Sequence, residues 1–172
     1  MKQLLIATAL LLGFGTAAAQ EGTPNDAQIA HIVVTANQVD IDAGKLAQTK
    51  ASNAEVKKFG EQMIADHTAV NKQAKDLAAK LKVKPEDNAT SRSLAQGGRD
   101  NLANLRGLKK GKDFDKAYVD HEVAYHQAVL DAIDKTLVPN AKNEELKALL
   151  VKVRPAFVAH LEHAKHIQET LK

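Results

Sequence analysis

Val56-Lys57-Lys58-Phe59-Gly60-Glu61-Gln62-Met63-Ile64-Ala65-Asp66-His67-Thr68-Ala69-Val70-Asn71-Lys72-Gln73-Ala74-Lys75-Asp76-Leu77-Ala78-Ala79-Lys80-Leu81 is the stretch that decides the fold. Its residues Val56, Gly60, Met63, His67, Val70, Ala74, Leu77 and Leu81 follow an unbroken 4-3-4-3 spacing. On a helix these positions form one stripe, the buried seam of a helical bundle. Leu146, Leu150, Val153, Phe157, His160, Ala164, Ile167 and Leu171 repeat the spacing in the last helical segment. Each seam is apolar except for one histidine.

Two further helical patterns complete the set. Ile29, Ile32, Val33, Ala36, Val39, Ala43 and Leu46 share an inward arc that also contains Asp40. Phe114, Tyr118, Tyr125, Val129 and Ala132 share another, with Glu122 inside it and His121 and His126 on its edges. Thr23-Pro24 reads as the opening of the first helix, which runs to about Lys50. Ser52-Asn53-Ala54-Glu55 reads as a capping box opening the second, which runs to about Leu81. Pro85 and Asn88-Ala89-Thr90-Ser91 interrupt the chain, and Ala89 to Leu108 is weakly helical, broken at Gly97-Gly98. The third long helix spans Asp113 to Leu137 and stops at Pro139-Asn140; the fourth runs from about Asn143 to Leu171, with a kink expected at Pro155.

Loop lengths then set the topology. Short turns join the first pair of long helices and the second pair, so each pair is an antiparallel hairpin. About thirty residues separate the hairpins, enough for a crossover along the bundle. The expectation is all-α: a ferritin-like four-helix bundle with one long crossover containing a short extra helix. The composition agrees. Aromatic residues make up only 3% of the 172 residues, so the core must be aliphatic, which suits packed helices. The absence of Cys excludes disulfides, thiolate zinc sites, iron–sulfur clusters and cysteine nucleophiles.

Residues 1–19 read as a secretory signal peptide: Lys2, an apolar run from Leu4 to Leu12, and the small-residue site Ala17-Ala18-Ala19. The remaining residues, 20–172, are read as a single bundle domain, periplasmic, with secretion or outer-membrane association as alternatives. No later apolar stretch reaches the roughly 20 residues of a transmembrane helix. The excess of basic residues from Val83 to Lys112 reads as a solvated surface, and export disfavours nucleic acid as a partner.

The seam histidines carry the chemistry. At 1.5 Å per residue, His67 lies about 22 Å into its helix, His126 about 20 Å, and His160 about 27 Å into the helix that runs the other way. Asp40 is about 15 Å from the end of the first helix. All four fall near the middle of a bundle about 45 Å long, where bundles build metal sites in their cores. Asp40, His67, Glu122, His126 and His160 are therefore the candidate ligands, with His163, beside the last seam, as a further one. His31 and His166 read as solvated. Imidazole with carboxylate suits Zn, Cu, Fe or Mn and does not choose among them. The same residues are also compatible with a hydrogen-bonded layer that only sets helix packing.

Absent motifs narrow the function. There is no Glu-x-x-His pair, so a ferritin-type di-iron centre is not indicated; the nearest pattern is Glu122-x-x-x-His126. His-Glu-x-x-His, Gly-x-Ser-x-Gly and phosphate-binding glycine loops are missing too. No catalytic residues or organic cofactor are assigned.

Several segments resemble one family: Val39-Asp40-Ile41-Asp42-Ala43-Gly44-Lys45-Leu46-Ala47, Phe59 to Thr68, Phe114-Asp115-Lys116-Ala117-Tyr118-Val119, His126, and His160-Leu161-Glu162-His163-Ala164. It is the exported, ferritin-like bacterial domain-of-unknown-function family often labelled "predicted outer membrane protein". The resemblance implies a ferritin-like bundle and an envelope location, and brings no activity with it. Its motif positions fall on Asp40, Asp66, His67, Tyr118, His126 and His160, and the family commonly carries Glu where this chain has the shorter Asp40. The expectation is a periplasmic bundle that binds a transition metal ion for metal handling or envelope stress protection rather than turnover of an organic substrate; an oxidase using a bound metal is left open but trails, since the two-iron motif is missing. The alternative is an envelope structural or interaction protein, with a protein partner or a second copy of itself.

Overall fold

The computed structural model describes residues 22–171. The signal-peptide reading of residues 1–19 lies outside them. Long helices run over Asp26–Lys50 (α1), Ala54–Lys80 (α2), Ala89–Gly107 (α3), Lys112–Ala132 (α4) and Glu144–Thr170 (α6). A π-helical turn, Ile133–Leu137, and the short α5, Val138–Asn140, extend α4. No strand occurs among the described residues. The α1–α2 and α4–α6 hairpins stack into the expected bundle, and α3 is the crossover, lying chiefly on α1.

Several helix boundaries are set by side chains other than those expected. Asn25, not Thr23, caps α1: its side chain accepts from the Gln28 N–H, while Gln28 accepts from the Asn25 N–H. Asn53 caps α2 by accepting from the Glu55 and Val56 N–H groups. Ser52 is freed from that task and donates its hydroxyl to Asp115. The third long helix does not stop at Leu137, because the Val138 N–H reaches Ile133 across the wider turn and Pro139 fits the first turn of α5.

The crossover helix is neither short nor broken at Gly97-Gly98. It runs through both glycines because Gly98 is a contact point: a Cβ there would meet Val39 Cγ2 of α1 at 2.7 Å. The α1–α2 pair is equally close, since a Cβ on Gly44 would lie 2.7 Å from the Gly60 carbonyl oxygen. Pro155 sits on the exposed face within α6, as does Val151, whose carbonyl loses its helical partner to the proline and faces solvent.

Two aspartates lock the hairpins together. Asp115, near the start of α4, accepts from the Ser52 and Asn53 N–H groups at 2.9 and 2.8 Å and from the Ser52 hydroxyl. Asp26, at the start of α1, accepts from the Lys142 and Asn143 N–H groups at 2.8 and 3.0 Å. The first helix of each hairpin thus holds the turn of the other, at opposite ends of the bundle.

The core is not continuous. One apolar cluster gathers residues such as Ile29, Val70, Val129, Leu150 and Phe157; a second gathers Ala47, Phe59, Met63, Phe114, Tyr118 and Ile167. Between them lies a layer of buried polar side chains. All of the predicted seam of α6 is buried, whereas Leu77 and Leu81 at the end of the α2 seam are partly exposed.

Asp115 is 1% exposed, and its loss would strand two backbone donors in the α1–α2 turn. Asp115→Ala is expected to destabilise the fold by about 3 kcal/mol, read from denaturant midpoints, and Asp26→Ala by less because its site is half-exposed.

Candidate metal centre

Asp40 of α1, His67 of α2, Glu122 and His126 of α4, and His160 of α6 converge in the polar layer, each no more than 2% exposed. The rings of His67, His126 and His160 form a triangle with centroid separations of 5.7, 5.2 and 5.4 Å. Phe157 packs against all three, at 5.1, 6.0 and 6.1 Å.

The hydrogen bonds fix which nitrogen of each ring carries the proton. His67 Nδ1 is 2.7 Å from Asn37 Oδ1. The Asn37 amide is itself oriented by donation from Nδ2 to the Val33 carbonyl at 2.7 Å, so its oxygen faces the ring and can only accept. His126 Nδ1 donates to the Glu122 carbonyl at 3.0 Å, and His160 Nε2 to Asp66 Oδ2 at 2.9 Å. The protons therefore lie on those three nitrogens. His67 Nε2, His126 Nε2 and His160 Nδ1 are left with lone pairs, and these three atoms are buried without a partner.

Three ring acceptors share one buried layer, and none of the three rings donates to another. One ligand nitrogen or oxygen from each of His67, His126 and His160 lies within 4.8 Å of the others, and the same holds for Asp40, Glu122 and His126. The four carboxylate oxygens of Asp40 and Glu122 have no donor among the other side chains, and the two groups hydrogen-bond to each other when one is protonated. A buried polar group left without a partner, as the three ring nitrogens are, costs about 1–3 kcal/mol, a cost that any group accepting electron pairs from these nitrogens would remove.

Burial pushes every member of the layer towards its neutral form. His67 falls to about 2, through desolvation and then the neighbouring His126 and His160. His126 falls to about 4, again through desolvation. His160 is lowered by desolvation, with the Asp66 carboxylate opposing. Desolvation raises Glu122 to about 8, and raises Asp40 well above the carboxylate range, with Glu122 adding to the effect. Neutral imidazoles are the form that binds metals, and a cation would restore the charge on the carboxyl pair.

The other histidines stand apart. His163, expected alongside the ligands, lies outside both groups: its Nδ1 meets Gln62 Oε1 at 3.1 Å and its ring packs edge-on against Phe59. His121 stacks on Tyr125, partly exposed, with Nδ1 3.7 Å from Glu122 Oε1. His166 is exposed, whereas His31, read as solvated, is only partly so and has a buried Nδ1 without a partner. Asn37 was not singled out in the sequence, although it lies on the inward arc between Val33 and Asp40, where a buried amide must have a partner.

Among families, the chain matches the one described as "Domain of unknown function (DUF4142)" over residues 13–167. It belongs to that family. Among solved structures it is similar to one described as "CopM in the Cu(II)-bound form", with a TM-score of 0.66 and 18% identity. The similarity covers 86% of this chain and 98% of that one, and at this identity it speaks for the fold. No curated protein sequence matches the chain significantly. Among the described residues no helix is long and apolar enough to cross a membrane.

A pH dependence follows from the layer. Folded Glu122 keeps its proton to about 8, whereas the unfolded chain loses it near 4.5. Between these values the fold holds the extra proton, so this contribution is complete below 4.5 and is lost as pH rises. Asp40 acts in the same direction. His67 and His126 act oppositely: below 6.5 the unfolded chain takes up protons that the fold refuses, so stability falls with pH there. Above 6.5 only the carboxyls act. Metal-free protein should lose up to about 1.4 kcal/mol per pH unit on account of Glu122 between about pH 6.5 and 8, with Asp40 acting in the same direction, measured by denaturant titration, and Glu122→Gln should reduce the slope.

Proposed function

We propose that this protein is a metal-handling bundle that holds a transition metal ion on His67, His126 and His160, with Asp40 and Glu122 supplying carboxylate beside it. The observation that carries this reading is the set of three unpartnered imidazole nitrogens, each fixed as an acceptor by a hydrogen bond on the far side of its ring. Metal-binding histidines are oriented in this way, by a carbonyl, amide or carboxylate on the second nitrogen. Imidazole and carboxylate donors suit Zn, Cu(II), Fe or Mn. The similarity to a protein in a Cu(II)-bound form supports copper among these. The signal-peptide pattern of residues 1–19 supports a periplasmic site of action, where binding a reactive ion protects the envelope. The role in this reading is retention and transfer of the ion, not turnover of an organic substrate, because the layer lies buried between two apolar clusters.

The test is elemental analysis of the chain purified without a His tag after periplasmic expression. Stoichiometric Zn, Cu, Fe or Mn is expected in the wild type and none in His67→Ala or His160→Ala. Retention by both variants, or a wild type that stays metal-free after exposure to each ion, would reduce the layer to a packing feature. Adding the metal at a thousandfold excess over its Kd should stabilise the fold by about 4 kcal/mol, a rise in Tm on the order of 10 °C that chelator reverses.

Asn37→Ala should weaken metal binding about 10- to 100-fold in a competition titration, because His67 loses the amide that fixes its tautomer.

A further inference from the structure

We infer that the protein binds one small, uncharged apolar molecule, no larger than a benzene ring, in a cavity that opens between α3 and α4 beside the polar layer. The inference is independent of the metal-binding reading: the cavity is a separate site, and its occupant ligates no ion.

The cavity holds about 130 Å³, and all the long helices contribute to its walls. Buried aliphatic side chains form its depth, among them Ile32 of α1, Val70 of α2, Val129 of α4 and Leu150 of α6. Thr90 and Ala128, the exposed residues that line it, mark the mouth. Two features of the chain create this space. The crossover α3 lies chiefly on α1, which leaves a cleft towards α4, and the residues lining it include the small Ala36, Ala128 and Ala132. The π-helical turn follows at once, and its first and last residues, Ile133 and Leu137, are both in the wall. Turns of this kind are frequent at functional sites.

The lining decides the occupant. Asn37, Thr90 and Tyr125 are the lining residues with polar side chains. The Asn37 amide is already spent on the Val33 carbonyl and on His67, and Tyr125 donates its hydroxyl to the Ala36 carbonyl at 3.1 Å. Thr90 stands at the mouth, in solvent. A water molecule in the depth would find none of the roughly two to four partners it needs. Aliphatic cavities of about 150 Å³ stay dry and take up benzene or xenon, so an apolar molecule of that size fits this one. A hydroxyl on the same molecule would be buried without a partner.

The experiment pressurises crystals of the untagged chain with xenon, and titrates the chain in solution with benzene and with phenol while following Tm. Wild type is compared with Ala132→Leu, whose larger side chain fills the cavity; Ala128→Leu, at the exposed mouth, takes its place if the first variant does not fold. The expected result is a xenon peak in the cavity and a saturable rise in Tm with benzene, both abolished in the folded variant. Phenol should bind at least about tenfold more weakly than benzene. Ordered water in the cavity with no xenon peak would overturn the inference. A benzene response of the same size in the folded variant would place binding elsewhere and likewise overturn it, as would phenol binding as tightly as benzene.

Discussion

Three imidazole lone pairs turned towards one another, with no donor among them, are the constraint around which this bundle is organised. His67, His126 and His160 each spend their one proton outwards, on Asn37, on the Glu122 carbonyl and on Asp66. Nothing in that arrangement helps the polypeptide alone. A single reversed tautomer would let one ring donate to another, and the outward partners prevent it, since all three can only accept. The Asn37 amide has no freedom to turn over without losing its bond to Val33. The fold thus maintains an unfavourable electrostatic arrangement at its centre with hydrogen bonds around its edge.

The rest of the architecture can be understood as holding that layer in register. The polar residues cut the hydrophobic core into two clusters, so neither cluster alone fixes how α1 and α2 sit against α4 and α6. Asp26 and Asp115 supply what a continuous core would have supplied, by tying each hairpin's turn to the other hairpin's first helix. Close backbone approach at Gly44 and Gly60 fixes α1 against α2, and Gly98 brings the crossover onto Val39, one residue from Asp40. The ligands therefore sit on helices whose axial positions are set from both ends.

Much of this was legible in the residues. Spacing alone identified the seams, because a helix's geometry is periodic and burial selects apolar side chains with that period. Turn length gave the hairpins and the long crossover, and counting residues along each helix put Asp40, His67, His126 and His160 at one height. What escaped was set by tertiary contact. The double glycine at 97 and 98 reads locally as a break, and only the approach of Val39 makes it a packing surface within a helix. Ser52 looks like a helix cap until Asp115, over sixty residues away in sequence, takes its hydroxyl. His163 and His160 are one turn apart on α6, yet a small rotation about the axis puts one ring in the layer and the other on Phe59 and Gln62. Periodicity resolves which face a residue occupies more coarsely than ligand geometry requires.

The same geometry explains why a ferritin-like bundle without Glu-x-x-His need not be an empty one. The donor set here is richer in imidazole, and neutral imidazoles bring no charge to offset in a dry interior. Carboxylates do, and in the absence of a cation burial holds Asp40 and Glu122 towards their protonated forms. Phe157 packs against all three rings, and the apolar clusters lie above and below the layer. Of the groups beside the layer, Asp66, its side chain 45% exposed, and His121, part-exposed and 3.7 Å from Glu122, reach the surface; Asn37 and Glu122 are buried. The layer thus meets solvent at its edge, beside His160 and beside Glu122, while the facing ring nitrogens stay buried.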